Sequence, residues 1–305
     1  MATRLACVSV DLDEIPCYTA IHGLAAPEDA RRHAIYDKAL PRLVELFADE
    51  GVPATFFAIG RDAADNAERL RALVDAGHEL ANHSQDHLYD LTRRPEAEMR
   101  AQVRDAQDAL EDALGERPRG FRAPGYTITD ALFEILASEG LRYDSSVFPC
   151  PAYYAAKTAA IAAIAARGRR SHSVVDDPRV LLAPADPYRV GKPYWRRGDG
   201  LLEQPIGVTR GARLPFIGTS VALAGERGAD LLARQMHGRK LVTLELHGID
   251  LSDAADDDLS FLAPHQPDLR VTMTKKRTAL HAAISRLRRM GYAFVTHEEA
   301  AERFG

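Results

Sequence analysis

The sequence predicts an α/β protein: an irregular (β/α) barrel in a single domain over residues 1–305, with an inserted segment at about 149–200. Two observations carry that expectation. Short apolar runs alternate with amphipathic stretches across short connections, which implies parallel strands joined by helical crossovers. Several of those runs also end in chemically competent side chains, and barrels of this class gather their functional groups at strand ends.

Leu5 to Val10 is an apolar run of the buried-strand kind that ends in Asp11-Leu12-Asp13-Glu14. Ile15 to Ala34 contains Pro16, Gly23 and Pro27, shows no period, and is expected to be a long loop of the usually functional sort. Lys38 to Glu50 reads as a helix, with Pro41 in its first turn, Leu40, Leu43, Val44, Leu46 and Phe47 on its apolar side and Gly51 as its stop. Val52 to Ile59 is a second strand, Asp62 to Ala76 a helix, and His78 to Asn82 a third strand that delivers His83. Pro95 opens a helix to Leu114, proline being favoured in a first turn. Gly120 to Ala123 is a strand, Thr129 to Ser138 a helix capped by Thr129, and Leu141 to Val147 a strand.

The rhythm breaks in Pro149 to Tyr194, which holds an alanine-rich helix, the run Arg167-Gly168-Arg169-Arg170 and several prolines. This part is expected to pack over the barrel. The pattern resumes with a strand at Leu201 to Val208, a helix near Ala229 to Met236 and a strand at Lys240 to Leu246. A basic amphipathic helix, Thr274 to Met290, and a strand, Tyr292 to Thr296, complete it.

With 46% hydrophobic and 27% charged residues the composition is that of an ordinary globular protein. A net charge of −5 leaves no basic excess for a nucleic-acid partner. The arginine run reads first as a solvated face and second as a place for an anionic group. Three cysteines, Cys7, Cys17 and Cys150, have no paired spacing, so free thiols in a reducing compartment are expected. Ala152 to Ala166 is interrupted by Lys157 and too short for a bilayer, and the N-terminus offers no apolar leader, so a cytoplasmic location is expected without stable membrane insertion. Oligomeric state is left open.

The chemistry centres on His83-Ser84-Gln85-Asp86-His87. Histidines four apart can share a metal on one helical turn. With 11 histidines in 305 residues, chance alone supplies about 0.4 such pairs, so the spacing needs company. It has some. Asp11 and Asp13 lie two apart on an extended segment and can face one pocket. One carboxylate added to the histidine pair gives three ligands and an open position, the arrangement of catalytic zinc. Arg122 in Arg-Ala-Pro-Gly-Tyr can pair with a carboxylate, and the turn can present backbone N–H groups to an oxyanion. His247, at the end of a strand, can serve as an acid near neutral pH.

Together these motifs resemble the polysaccharide deacetylase (NodB-homology, carbohydrate esterase family 4-like) family in its Asp-x-Asp variant. Its five ordered motifs have counterparts in Asp11-Leu12-Asp13, His83-Ser84-Gln85-Asp86-His87, Arg122-Ala123-Pro124-Gly125-Tyr126, Asp144-Ser145-Ser146 and Leu244-Glu245-Leu246-His247. Leu12 stands where the commonest form has its metal aspartate, which moves that role to Asp13. The fourth motif lacks its tryptophan, and Glu245 stands at the leucine of the fifth.

The resemblance implies an irregular barrel of the NodB-homology type and a metal-dependent hydrolase that removes an N-acetyl or N-formyl group from an amino sugar or glycan precursor. Asp13, His83 and His87 would hold a divalent metal, zinc being the first candidate. Asp11, oriented by Arg122, would take a proton from water, and the Tyr126 backbone N–H would help hold the oxyanion. His247 would protonate the leaving amine, with Asp144 or Asp250 as its partner. Glu14 and His22 are expected to shape the substrate pocket. An allantoinase-like hydrolase of cyclic amides and a sugar-binding relative without turnover are the alternatives. Asp11 and His247 speak against the latter, because binding alone needs neither a base nor an acid.

Overall fold

The structure, a computed structural model, describes residues 4–305. Its first strand, β1 (Arg4–Asp11), is buried at every position but the first. It reads as a continuous apolar run because both faces are covered, as in parallel sheets generally. β2 (Ala54–Ala58), β3 (Glu79–Asn82), β4 (Gly120–Phe121) and β5 (Tyr143–Asp144) follow in parallel to one side of it, and β8 (Leu241–His247) lies parallel on the other. β7 (Arg197–Glu203) continues beyond β5, and β6 (Tyr188–Val190) adds the one antiparallel edge strand. The order is β6-β7-β5-β4-β3-β2-β1-β8, with β9 (Tyr292–Phe294) on the N-terminal end of β1. The sheet curls into an open half-barrel. Among the described residues β7 and β8 do not pair; the chain between them touches β8 through the isolated bridge Ile217–Glu245, so closure is made by irregular chain.

Helices cover the outside: α1 (Ile15–Ile21), α2 (Leu40–Glu50), α3 (Ala67–Asp75), α4 (Glu96–Leu114), α5 (Asp130–Ser138), α6 (Pro151–Ala166), α7 (Gly218–Arg234), α8 (Met273–Arg289) and α9 (His297–Phe304). The main core joins β1, β2 and β8 to α2, α3, α7 and α8 through residues such as Val8, Leu43, Phe47, Phe56, Leu244 and Ile284. Each such side chain contributes about 1.5–3 kcal/mol by leaving water. A second core joins α4, α5 and α6 through Val103, Leu132, Leu136 and Tyr154. The three cysteines are free. Among the described residues no helix is long and apolar enough to cross a membrane.

Four expectations need correcting. Ile15 to Ala34 is not one long loop: α1 starts directly after Glu14 with Pro16 in its first turn, where a missing N–H costs nothing. Seven residues are too few to show a period. The strand expected at Leu201 to Val208 is β7, which starts at Arg197 and ends at Glu203, before Pro205. Part of the segment assigned to an insertion therefore belongs to the sheet. The helix expected near Ala229 starts at Gly218, and Gly225, at φ +64, breaks it and hides its period. Finally, His83 to His87 is not a helical turn. Ser84 and His87 take left-handed φ of +64 and +54 in an irregular loop. The Asn82 side chain holds the Ser84 N–H at 2.7 Å, and Gln102 of α4 accepts from the Asp86 N–H and donates to the Asp86 carboxylate.

Candidate metal centre and active site

Residues at four strand ends, those of β1, β3, β4 and β8, converge at the C-terminal edge of the sheet. Asp13 Oδ1 stands 3.3 Å from His83 Nε2 and 3.2 Å from His87 Nε2, all three side chains buried. Ligand atoms about 2.0–2.1 Å from one tetrahedral ion lie ~3.3–3.4 Å apart, so these edges suit a shared divalent cation. Asp13 Oδ1 and both ring nitrogens of His87 have no hydrogen-bond partner. A buried polar atom left unpaired costs about 1–3 kcal/mol, which a cation on these donors would remove. His83 Nδ1 lies 2.7 Å from the Arg122 carbonyl, so it donates there and leaves Nε2 as the ligand atom. Burial favours the neutral Asp13 carboxyl, but the two imidazoles outweigh it and hold Asp13 well below the usual carboxylate range.

Beside this cluster, Arg122 is fully buried and donates at 2.6 Å to Asp11 Oδ1. Its other nitrogens donate to the hydroxyls of Ser9 and Ser145 and to the Ser145 carbonyl, each at 2.9 Å. The guanidinium also lies 4.0 Å over the Phe57 ring. Asp11 is thus fixed in place, with its second oxygen 3.7 Å from His83 Nε2.

On the opposite side, His247 Nε2 is 3.9 Å from Asp13 Oδ2 and its side chain is 24% exposed, so the ring faces both the cluster and the pocket. Its Nδ1 meets Glu245 Oε1 at 2.8 Å. Burial alone would lower the imidazole pKa; the Glu245 carboxylate overrides that and holds the ring well above the ordinary histidine range. Asp11, Glu245 and His247 also lie close enough to share an ion. Arg122 and His247 already engage the two carboxylates, so these three residues are better suited to moving protons.

The structure brings Asp11, Asp13, His83, His87, Arg122 and His247 together and moves five other residues out of their expected places. Asp144 does not reach His247: it accepts from the Ser146 N–H and hydroxyl, and the Ser146 hydroxyl in turn accepts from the Ala123 N–H, bracing the Arg122 turn. Asp250 accepts from the backbone N–H of His247 rather than from its ring. The Tyr126 N–H is engaged by the Ala123 carbonyl at 3.0 Å, because Gly125 and Tyr126 both take left-handed φ and close the turn. Its hydroxyl, 3.5 Å from His247 Nε2, faces the pocket instead. Glu14 turns to the Ile35 N–H at 3.2 Å and is pushed up to about 8 by burial, which suits a structural carboxyl. His22 sits one residue back from the pocket wall, 3.1 Å from Gln266. Glu245 was the residue missed. The signal was present, since residues 245 and 247 on one strand point the same way.

A pocket of about 360 Å³ opens onto Asp13 and His247 and is walled by Tyr18, Tyr89, Tyr126 and Tyr153. Tyr153 comes from α6, so the segment after β5 supplies one wall.

A family model described as polysaccharide deacetylase matches residues 33–143, which include His83, His87, Arg122 and Tyr126. The peptidoglycan deacetylase of Helicobacter pylori is 28% identical over 145 residues, covering 47% of this chain and 49% of its own. A chitooligosaccharide deacetylase of a Bradyrhizobium species is 37% identical over 102 residues, 33% of this chain and 46% of its own. The chain thus spans about half the length of these curated relatives. A crystal structure from Mycobacterium smegmatis, assigned as a polysaccharide deacetylase, shares the fold over 97% of this chain and 95% of its own, with a TM-score of 0.56 at 21% identity. The family model over residues 33–143 and the curated relatives support membership of the NodB-homology, carbohydrate esterase family 4-like polysaccharide deacetylase family, and the solved structure shares the fold.

Proposed function

We propose that the chain is a metal-dependent amide hydrolase that removes an N-acetyl or N-formyl group from an amino sugar or glycan precursor. The observation that carries this reading is the placement of three unshared donors, Asp13, His83 and His87, between an arginine-held carboxylate and a carboxylate-held histidine. A divalent ion there, zinc by the nitrogen and oxygen donor set, supplies Lewis acidity toward an amide carbonyl and acidifies water.

The chain's own residues do the rest. Asp11 is fixed by Arg122 and faces the cluster, so it accepts the proton that an attacking water gives up. His247 carries a proton because Glu245 favours the imidazolium, and its partly exposed Nε2 delivers that proton to the leaving nitrogen. Four tyrosines around the pocket give a sugar ring flat apolar faces with polar edges. That peptidoglycan and chitooligosaccharide deacetylases are among the relatives supports an N-acylated amino sugar as substrate.

The test is metal analysis of the purified protein followed by an amine-release assay over N-acetylated and N-formylated amino sugars. Bound zinc with metal-dependent amine release is expected. Failure to retain any divalent ion, or a bound ion with no release from any such substrate, overturns the reading.

A further inference from the structure

We propose that the arginine-lined cavity beside His87 is a phosphate subsite, which would make the substrate a phosphorylated N-acyl amino sugar. The substrate assignment rests on the deacylation reading above; the subsite itself does not. The cavity measures about 710 Å³ and has His87 in its wall. Tyr89 and Ser173 line both it and the tyrosine-walled pocket, so the two adjoin, with His87 in the wall of one and Asp13 in the wall of the other. Tyr89 is fixed at this junction, with its ring edge-on to His87 at 4.7 Å and its hydroxyl donating to the Cys17 carbonyl at 3.3 Å.

Arg61, Arg93, Arg94 and Arg170 line the cavity against the carboxylates of Asp86 and Asp90. Those carboxylates are largely taken: Asp90 pairs with Arg94 at 3.0 Å, and Asp86 accepts from Gln102 at 2.6 Å. Arg61 reaches Asp62 at 3.6 Å. Among the described residues the exposed Arg93 and Arg170 have no carboxylate partner, and the Arg93 side chain makes one hydrogen bond, to the Val175 carbonyl at 3.4 Å.

These side chains come from three separate stretches of chain: the end of β2, the turn after the histidine loop, and the segment after α6. That convergence is not what a solvated face of one helix produces. Of the run Arg167-Gly168-Arg169-Arg170, Arg167 donates back to the Ala163 carbonyl of α6 at 2.9 Å, whereas Arg170 turns into the cavity. Its segment is pinned to the end of α1, the Ser171 hydroxyl donating to the Ile21 carbonyl at 2.6 Å and the His172 N–H to the Ala20 carbonyl at 3.2 Å. Unpaired guanidinium groups in a concave site are matched by phosphate oxygens, which accept forked, charge-assisted hydrogen bonds. The adjoining pockets then hold the acylated sugar against the tyrosines and the phosphate against the arginines, with the amide between them.

The test is calorimetric titration of the metal-loaded protein with inorganic pyrophosphate, comparing wild type with the double variant Arg93→Ala, Arg170→Ala. Binding through the arginines should weaken about tenfold per residue lost, roughly 100-fold in the pair. Pyrophosphate held by the metal alone would bind both proteins equally. Equal binding, or none to the wild type, overturns the subsite. Hydrolysis assays then compare N-acetylglucosamine, its 1-phosphate and a nucleoside-diphosphate derivative. KM should be lowest for a phosphorylated substrate in the wild type, and the double variant should lose that preference. Which of the two phosphorylated substrates is favoured identifies the source of the phosphate. Wild-type KM values alike for neutral and phosphorylated sugars overturn the substrate assignment. Hydrolysis of none of them counts against the deacylation reading, while the pyrophosphate titration still decides the cavity.

Discussion

The two walls of the site are built on opposite plans. The metal wall comes from loops past β1 and β3, and its donors are buried and short of hydrogen-bond partners. The wall proposed to donate the proton is a stretch of strand, β8, where the buried Glu245 carboxylate lies 2.8 Å from His247 Nδ1 and His247 faces a pocket. One wall is left incomplete so that a cation can finish it. The other carries its own counter-charge, Glu245 beside His247, which sets the charge state of the ring.

The first way to break this contrast is also the largest. His83→Ala or His87→Ala removes one of three ligands, so bound metal should be lost and turnover should fall on the order of 10⁴-fold or more. Metal content of the purified variants checks it; a variant that keeps both metal and activity ends the assignment of the cluster. Asp11→Asn should behave differently. It keeps the three ligands and loses the base, so metal should remain while turnover drops roughly 10²–10⁴-fold. The same change strands the Arg122 guanidinium in a buried site, so unfolding in denaturant should show a cost of about 3–5 kcal/mol. If Asp11→Asn strips the metal and Asp13→Asn does not, the roles of the two aspartates are reversed.

The two walls were also unequally legible in the sequence. His83 and His87 are neighbours in the chain, Asp11 and Asp13 follow a plain apolar run, and the order of motifs tied them together. Even so, the local geometry of the histidine loop was misread. Its shape is imposed by Asn82 and by Gln102 on α4, residues that carry no chemistry of their own. The alternation of strands and helices was readable over most of the chain. It failed at α1, too short for a period, and at α7, broken by Gly225. On the second wall the sequence points to His247 but to Asp144 or Asp250 as its partner. Asp144 is claimed by Ser146 and Asp250 by the His247 backbone, choices made by tertiary contacts that sequence spacing does not encode.

A smaller effect is expected on the proton-donor wall. His247→Ala should leave metal content and fold intact and lower amide turnover about 10²–10³-fold, the range of lost acid–base assistance. An activated aryl ester, whose leaving group needs no proton, should lose much less. Equal losses on amide and ester would mean that the ring merely fills the pocket.

The smallest change is the sharpest probe of the comparison. Glu245→Gln preserves the shape of the buried side chain beside His247 Nδ1 and removes only its charge. Burial by itself pulls the imidazole pKa down, and the Glu245 carboxylate is the leading influence holding it up. Without that charge the His247 pKa falls. A general acid works only while protonated, so activity is lost as pH rises through that pKa, and a lower pKa brings the loss at lower pH. The alkaline limb of the kcat profile should therefore move toward acid, with turnover at neutral pH down about tenfold, while metal content stays at the wild-type level. Glu245→Asp, which restores the charge, should move the limb back toward its original place. A residue that served only to pack the strand would lower the whole profile without displacing it. An unmoved alkaline limb in Glu245→Gln would place the charge control of His247 elsewhere, on Asp11 or Asp13 across the cluster.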